Sequence, residues 1–450
     1  MGIYIINDRG RTRNFVKIGD GNMNQEFNPD ALASIRILNS HGYLAFLVGG
    51  AVRDYFLNCE SHDFDVTTNA SLEDICNVFK DYKNKIYANK QCVGVRINEA
   101  FIEIATFKGD TIEEDLANRD FSINSIAYNP STGFIDPYNG IDDINNKLLR
   151  TVKEPILVIR KDPIRILRAI RFECLYGFKM DDELEKNIYE LGELLNLVHP
   201  MKIPNEINPI LISDKCSYYI KKYKEIFKIL FKPLNECDGF NQHSRWHIYD
   251  VFNHIMKVVE STDNDLVLRL SALFHDIKKP ECLRIDEEGE GHFPNHYLYS
   301  AEYAKEILEY YAYNHRIVER VYHLVLFHET RLELNDEMIL NFLVQFGKKD
   351  IDLFTKLQKA DMMGQNPELL FRLDTYKLIE ERIYYFINNY NIITYNKLAI
   401  KIKDLVDRGY SEKNAKKKLI SLAIKVTLYE IANDRNELLK LIKHNVKDCV

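Results

Sequence analysis

No apolar run in this chain approaches the roughly 20 residues that a membrane-spanning helix needs. The first residues, MGIYIINDRGRTRNF, lack the apolar stretch and small-residue cleavage site of a signal peptide. Both absences predict a cytoplasmic protein. Paired cysteines are also missing: Cys59, Cys76, Cys92, Cys174, Cys216, Cys237, Cys282 and Cys449 are scattered, and none has Cys-x-x-Cys spacing. That argues against a zinc knuckle or a disulfide framework and fits a reducing compartment. Internal repeats and low-complexity tracts are absent. So is an excess of positive charge, the formal net charge being -7. A protein that coats long nucleic acid is usually basic overall. Any RNA contact here is therefore expected to be a local patch on a compact substrate, weakened by salt. Lys221, Lys222 and Lys224, Lys401 and Lys403, and Lys416 to Lys418 fit such patches. Solvated helix faces give the same pattern.

What is present is a globular composition, 46% hydrophobic and 28% charged over 450 residues. At about 150 residues per domain this predicts two to four units. Residues 1–25 are polar, with several glycines, and read as an arm. From there to Leu149 helices and strands alternate: helix Pro29 to Leu38, strand Ala45 to Val48, a helix after Ala51, strand Phe64 to Thr67, helix Leu72 to Tyr82. Strands Gly94 to Ile97 and Phe101 to Phe107 follow, joined by the turn Asn98-Glu99. From Pro155 onward nearly everything has helical period, as in Ile164, Leu167, Ile170 and Cys174. The fold class is α+β. The expected units are the arm 1–25, a mixed head 26–149, a helical neck 150–240, a helical domain 241–365 and a lysine-rich helical tail 366–450.

Chemistry concentrates first in Leu47-Val48-Gly49-Gly50-Ala51-Val52-Arg53-Asp54, a strand, a glycine pair and a helix start. Adjacent glycines let backbone approach a bulky anion, and free amides at a helix start favour phosphate. Nine residues past Asp54 begins Asp63-Phe64-Asp65. On a strand, residues i and i+2 face the same side. Two carboxylates there repel each other unless a cation sits between them. Magnesium takes one or two carboxylates plus phosphate oxygens and water. A two-metal site activates an attacking hydroxyl and stabilises the leaving pyrophosphate. Glu103 is a candidate third carboxylate, or a solvent-facing glutamate.

LVGGAVRD followed by DFDVTT resembles the signature of polymerase-β-like nucleotidyltransferases, in the bacterial class that holds CCA-adding enzymes and poly(A) polymerases. Further matches run in order: Glu114-Asp115-Leu116, Arg119-Asp120-Phe121-Ser122-Ile123-Asn124-Ser125-Ile126-Ala127, Asp136-Pro137-Tyr138-Asn139-Gly140, and Asp162-Pro163-Ile164-Arg165-Ile166-Leu167-Arg168-Ala169-Ile170-Arg171-Phe172. Val198 to Leu211 resembles the following helix more weakly. The resemblance implies a polymerase-β-like head, with Gly49, Gly50, Arg53, Arg119, Asp120, Asn124, Asp162, Arg165 and Arg168 binding nucleotide, and Asp63 and Asp65 holding magnesium. Arg119 and Asp120 would hold the ribose or triphosphate. Asp162 and Arg165, three apart, are expected on one helical face. A carboxylate accepts from an exocyclic amino group and a guanidinium donates to a ring nitrogen. Cytosine and adenine both present that pair of groups, so the expected donors are CTP and ATP.

Several positions depart from the family pattern. Lys161 stands where Glu or Arg is usual, and Asn118 replaces the first arginine of Arg-Arg-Asp. Met201 and Pro204 interrupt the later helix motif. A flexible loop rich in Asp, Gly and Arg normally precedes Glu114 in CCA-adding members and helps switch the pocket from CTP to ATP. Here only Lys108 to Glu113 intervene. Relatives adding only two cytidines lack this loop.

A second constellation is His254, His275-Asp276, His296, His328 and Asp361. It resembles the HD metal-dependent phosphohydrolases, whose ligands are His, His-Asp and a later Asp, with two more histidines in binuclear members. Imidazole and carboxylate suit a divalent transition metal or magnesium. His243, His247, His292 and His323 read as non-ligands. Tyr395 to Ile400, Asp404-Leu405 and Gly409 resemble the family's C-terminal RNA-binding helices. The expected function is nucleotide addition to the tRNA 3′ end, giving CC or CCA. Alternatives are a phosphohydrolase with a binding-only head, a poly(A) polymerase, or a non-catalytic RNA binder.

Overall fold

The computed structural model describes residues 26–87 and 92–442, with the backbone of a hairpin formed by Tyr4–Ile6 (β1) and Thr12–Asn14 (β2). The rest of the expected arm 1–25, and Cys449, lie outside the described residues. The chain divides into two compact units, Met1–Leu230 and Phe231–Val450. No helix among the described residues is long and apolar enough to cross a membrane.

The first unit opens with helix α1, Pro29–Ser40. The Asn28 side chain accepts from the amides of Asp30 and Ala31, and Pro29 has no amide to satisfy. Its buried stripe is Ala31, Ser34, Ile35 and Leu38. Strand β3, Ala45–Val48, is buried at every residue and runs into helix α2, Gly50–Phe56. Strand β4, Phe64–Thr68, leads to α3, Leu72–Val78, which starts on a capping box between Ser71 and Asp74. Strands β5, Lys83–Tyr87, β6, Cys92–Ile97, and β7, Ala100–Thr106, follow. After the short helix α4, Ile112–Leu116, come β8, Ala127–Asn129, and β9, Gly133–Ile135. The seven-stranded sheet has the order β5-β6-β7-β4-β3-β8-β9. Only β4 and β7 pair in parallel; the sheet is mixed, as an α+β head requires.

The helix expected over Leu72 to Tyr82 ends at Val78, because Phe79 is wholly buried and the chain turns there into β5. Strand β5 is an edge strand with the polar sequence Lys-Asn-Lys-Ile-Tyr, defined by its pairing with β6 rather than by its own pattern. For the same reason β8 and β9 carried no sequence signal.

Helices complete the unit: α5, Gly140–Asn145, α6, Pro155–Lys161, and α7, Arg165–Tyr176, whose buried face is Ile166, Leu167, Ala169, Ile170, Phe172, Glu173 and Tyr176. Helices α8, Asp182–Glu190, and α9, Ile203–Leu211, come next, α9 packing on α7. Pro204 lies in the first turn of α9, where a missing amide costs nothing.

The second unit is helical. The helices Val251–Glu260, Leu266–Phe274, His296–Tyr310, His315–Phe327 and Ile351–Met363 pack together. Leu266–Phe274 is buried along nearly its whole length and delivers His275 and Asp276 at its end. A separate cluster, with Leu398, Leu405, Leu419 and Leu438, forms the core of the tail.

Candidate functional site

In the head, β3 ends on Gly49, whose φ of 71° lies in the region that side chains rarely adopt. A Cβ there would stand 3.2 Å from Oδ2 of Asp65 and 3.4 Å from a terminal nitrogen of Arg119. The positive φ calls for glycine, and Gly49, Asp65 and Arg119 meet at one point beside the start of α2. Strand β4 begins at Phe64, so Asp63 stands one residue ahead of it. The alternation holds: Asp63 and Asp65 are exposed and Phe64 is buried on the other face. In the parallel pairing of β4 with β7, Asp65 stands opposite half-buried Glu103. Glu103 thus neighbours Asp65, but it does not close with both aspartates into a tight cluster. Among the described residues, the only sets of His, Cys, Asp or Glu with ligand atoms all within 4.8 Å are in the second unit.

Behind this point lies a buried charge network. Asp120 accepts from Arg168 at 2.8 Å, from the Asn124 amide at 3.0 Å and from the amide of Phe121 at 2.8 Å. Burial pushes its carboxyl up, but Arg168 and these donors outweigh burial and hold it at about 2. Asn124 accepts in turn from Arg53 at 2.8 Å. Arg53 pairs with Asp54 at 2.7 Å and lies over the rings of Phe172 and Tyr176. Arg168 also reaches Glu206 at 3.2 Å, and Arg171 reaches the other Glu206 oxygen at 2.7 Å. Arg53, Asp120 and Asn124 are thus held in a network that also takes in Asp54 and Arg168. Glu206 belongs to this network and escaped sequence reasoning. Its only signal was a lone carboxylate in an apolar helix stripe.

Asp162 and Arg165 are not on one helical face. Asp162 ends α6 in an extended conformation, φ -150° and ψ 96°, and α7 starts only at Arg165. Pro163 is the cause: the residue before proline is disfavoured in helix. Asp162 lies 3.5 Å from Lys202, while Arg165 donates to the Val158 carbonyl at 3.1 Å. Gly50 opens α2, and Arg119 pairs with Asp115 at 3.0 Å.

In the second unit, His254, His275, Asp276 and Asp361 form one group, and Asp276, His296 and His328 another. All are buried except Asp361, which is half-buried. Each Nδ1 sits against a backbone carbonyl: His254 on Gly364 at 3.0 Å, His275 on Ala272 at 2.8 Å, His296 on Phe293 at 2.7 Å, and His328 on Val325 at 2.7 Å. A neutral imidazole that donates through Nδ1 presents a lone pair on Nε2. Those Nε2 atoms face each other in pairs, His254 to His275 at 3.1 Å and His296 to His328 at 3.2 Å. Inward lone pairs and carboxylates fit divalent cations. Lys279 lies 2.7 Å from Asp276, and Gln365 donates to Asp361 at 3.1 Å while accepting from Arg372 at 3.0 Å. These supports were not foreseen. A cavity of about 300 Å³ adjoins the group, with Trp246, Lys279, Arg331 and Arg372 in its wall.

The remaining histidines stay apart. His247 packs edge-on to His254 with ring centres 4.8 Å apart, and burial, then Lys279, push it down to about 2. His292 pairs with Asp286 at 2.6 Å, His323 stacks on Phe346, and His243 is exposed. In the tail, Lys401 donates to the carbonyls of Asn396 and Leu398, so it braces a turn.

Residues 45–150 match the poly A polymerase head domain, and residues 246–369 match the HD domain. A CC-adding tRNA nucleotidyltransferase from Shouchella clausii is 38% identical over 35% of this chain and 41% of its own length. A poly(A) polymerase I from Escherichia coli is 32% identical over 47% of this chain and 50% of its own. A CCA-adding enzyme from Geobacillus is 31% identical over 49% and 59%. The chain thus spans about half the length of the curated relatives it matches. Among solved structures, the Bacillus stearothermophilus CCA-adding enzyme in complex with CTP is similar with a TM-score of 0.62 and 20% identity, over 92% of this chain and 97% of that one. The Thermotoga maritima CCA-adding enzyme complexed with tRNA gives a TM-score of 0.52 and 18% identity, over 93% and 96%. At these identities the likeness is one of fold.

Proposed function

We propose that this chain, which joins a poly A polymerase head domain to an HD domain, adds nucleotides from CTP to the 3′ end of tRNA and stops at CC. The observation that carries nucleotidyl transfer is the meeting of Gly49, Asp65 and Arg119, with Asp63 on the same side as Asp65. Exposed carboxylates beside a guanidinium and a glycine-lined helix start suit a metal-bound triphosphate. Magnesium held by Asp63 and Asp65 would neutralise charge on the α-phosphate and on the leaving pyrophosphate. The tRNA 3′-oxygen forms its bond to the α-phosphorus as the bond to pyrophosphate breaks. Arg119 faces the phosphates. Asp162 accepts from the base amino group and Arg165 donates to the ring nitrogen.

Stopping at CC rests on the connection from Lys108 to Glu113. Its first half is tied to the helix that follows: the amide of Lys108 donates to Asp115 at 3.0 Å and that of Asp110 to Glu114 at 2.7 Å. Gly109 leaves no space, since a Cβ there would meet Glu114 at 2.5 Å. A segment held in this way is not free to reshape the pocket for ATP. The CC-adding relative supports the same reading.

The test is a tRNA ending at the discriminator base, incubated with magnesium and either CTP alone or CTP plus ATP, followed by sequencing of the ends. CC addition, absent in Asp63→Ala and Asp65→Ala, is expected. Full CCA would sink the CC reading, and no addition at all would sink the transferase reading.

A second activity is favoured by the inward-facing imidazoles of the HD domain. We infer a divalent metal pair held by His254, His275, Asp276 and Asp361 and by Asp276, His296 and His328, the metal being a transition ion or magnesium. When bound, such a pair would supply an activated water and a phosphate clamp. Lys279, Arg331 and Arg372 in the cavity wall supply positive charge for a phosphoester. Hydrolysis of a 2′,3′-cyclic phosphate or 2′-nucleotide by the manganese-loaded protein, lost in His275→Ala, is expected. Equal rates in both proteins would remove this reading.

A further inference from the structure

Two residues that depart from the family pattern touch each other. Lys161, at the end of α6, donates to Oδ1 of Asn118 at 2.8 Å. Asn118 is half-buried and Lys161 exposed. The Asn118 amide nitrogen donates to the carbonyl of Lys108 at 2.8 Å and to that of Glu114 at 2.9 Å. Every polar atom of this side chain is thus committed, and it joins three segments: the short connection after β7, the helix α4, and the end of α6.

The place of the contact gives it meaning. Lys161 directly precedes Asp162, and Asn118 directly precedes Arg119 and Asp120. The base-reading edge and the anchors of ribose and phosphate are therefore joined on this side by a hydrogen bond between their neighbours, beside the pair that Arg168 of α7 makes with Asp120. An exposed lysine loses side-chain entropy when held in one position. The surroundings give no general attraction, because Arg165, Lys108 and Lys153 are the charges that bear on it. What holds Lys161 is this one charge-assisted hydrogen bond, stronger than a neutral one.

We propose that the Lys161–Asn118 hydrogen bond is a tether that fixes the distance from base-reading edge to ribose anchor and so selects CTP over ATP by size. The proposal rests on the transferase reading of the head. The hydrogen-bonding edge of a purine lies farther from its ribose than that of a pyrimidine. A pocket free to lengthen takes both, and a pocket held at one distance takes one. Lys161 and Asn118 are positioning residues in this scheme: they touch neither base nor phosphate, and they act through Asp162 and Arg119.

The experiment compares kcat/KM for ATP on a CC-ended tRNA with kcat/KM for CTP on a tRNA ending at the discriminator base. In Lys161→Met the ATP-to-CTP ratio should rise about tenfold, the usual scale of discrimination by pocket size. The loss for CTP should fall on KM with kcat little changed, which a general loss of structure would not produce. Lys161→Arg, which keeps a charged donor, should retain the wild-type ratio. The double variant Lys161→Met/Asn118→Leu should match Asn118→Leu alone, because the bond that Lys161→Met breaks is already lost there. A ratio unchanged in Lys161→Met, or additive effects in the double variant, overturns the tether while CC addition by the wild type leaves the transferase reading standing. A wild type that adds no nucleotide overturns both.

Discussion

Asp276 turns one carboxylate oxygen to His254, at 3.1 Å, while its other oxygen lies 3.2 Å from His296 in a different histidine group. One side chain is therefore common to both groups, and the groups should stand or fall together on it. Manganese retained after gel filtration, measured by elemental analysis, should be two ions per chain in the wild type and one in His328→Ala. Asp276→Asn should retain none. Two ions in Asp276→Asn would show that the carboxylate does not bridge.

Gly49 tests the head in the same spirit. Gly49→Ala introduces a methyl at positive φ, 3.2 Å from an Asp65 oxygen. Displacing a catalytic group by about 1 Å costs about a hundredfold in rate, and this contact asks Asp65 to give by less than that. Initial rates of CTP addition should fall, by less than about a hundredfold, with far-ultraviolet circular dichroism unchanged. Wild-type rates would mean that Asp65 does not need its place beside the glycine.

Acid stability follows from Asp120. Its carboxyl is held at about 2 when folded, below its ordinary 3.8. The folded state thus binds the proton less readily than the unfolded chain. The contribution to stability is complete above about pH 4 and is lost as pH falls towards 2. It amounts to about 2 kcal/mol by linkage. Urea unfolding of wild type and Asp120→Asn should differ clearly at pH 5 and converge near pH 2. A gap that stays constant with pH would remove Asp120's charge as its source.

Glu206 accepts from two arginines while almost fully buried. Glu206→Gln removes the negative charge and leaves Arg168 and Arg171 short of a partner. Breaking a fully buried pair costs about 3 kcal/mol, and since both arginines keep contact with water the loss here should be smaller. Chemical denaturation should show that loss, and Asp120, still paired with Arg168, should keep its acid transition.

The sequence by itself determined the chemistry-bearing elements and their order. Strand Ala45–Val48 is apolar throughout, and the Gly49-Gly50 and Asp63-Phe64-Asp65 patterns are local, so neighbouring residues specify them without the rest of the fold. The six histidines and aspartates that cluster in the second unit were picked out by their resemblance to the HD pattern, His, His-Asp and a later Asp, and not by spacing alone. Tertiary structure decided what depends on distant partners. Edge strand β5 exists through its pairing with β6, and Glu206 matters because α9 packs on α7. Asp162 left the helix expected for it because Pro163 forbids that conformation, a local signal outweighed by the regular spacing of the segment. The contact between Lys161 and Asn118 joins residues far apart in sequence, and only the packing of α6 against the segment after α4 brings them within 2.8 Å.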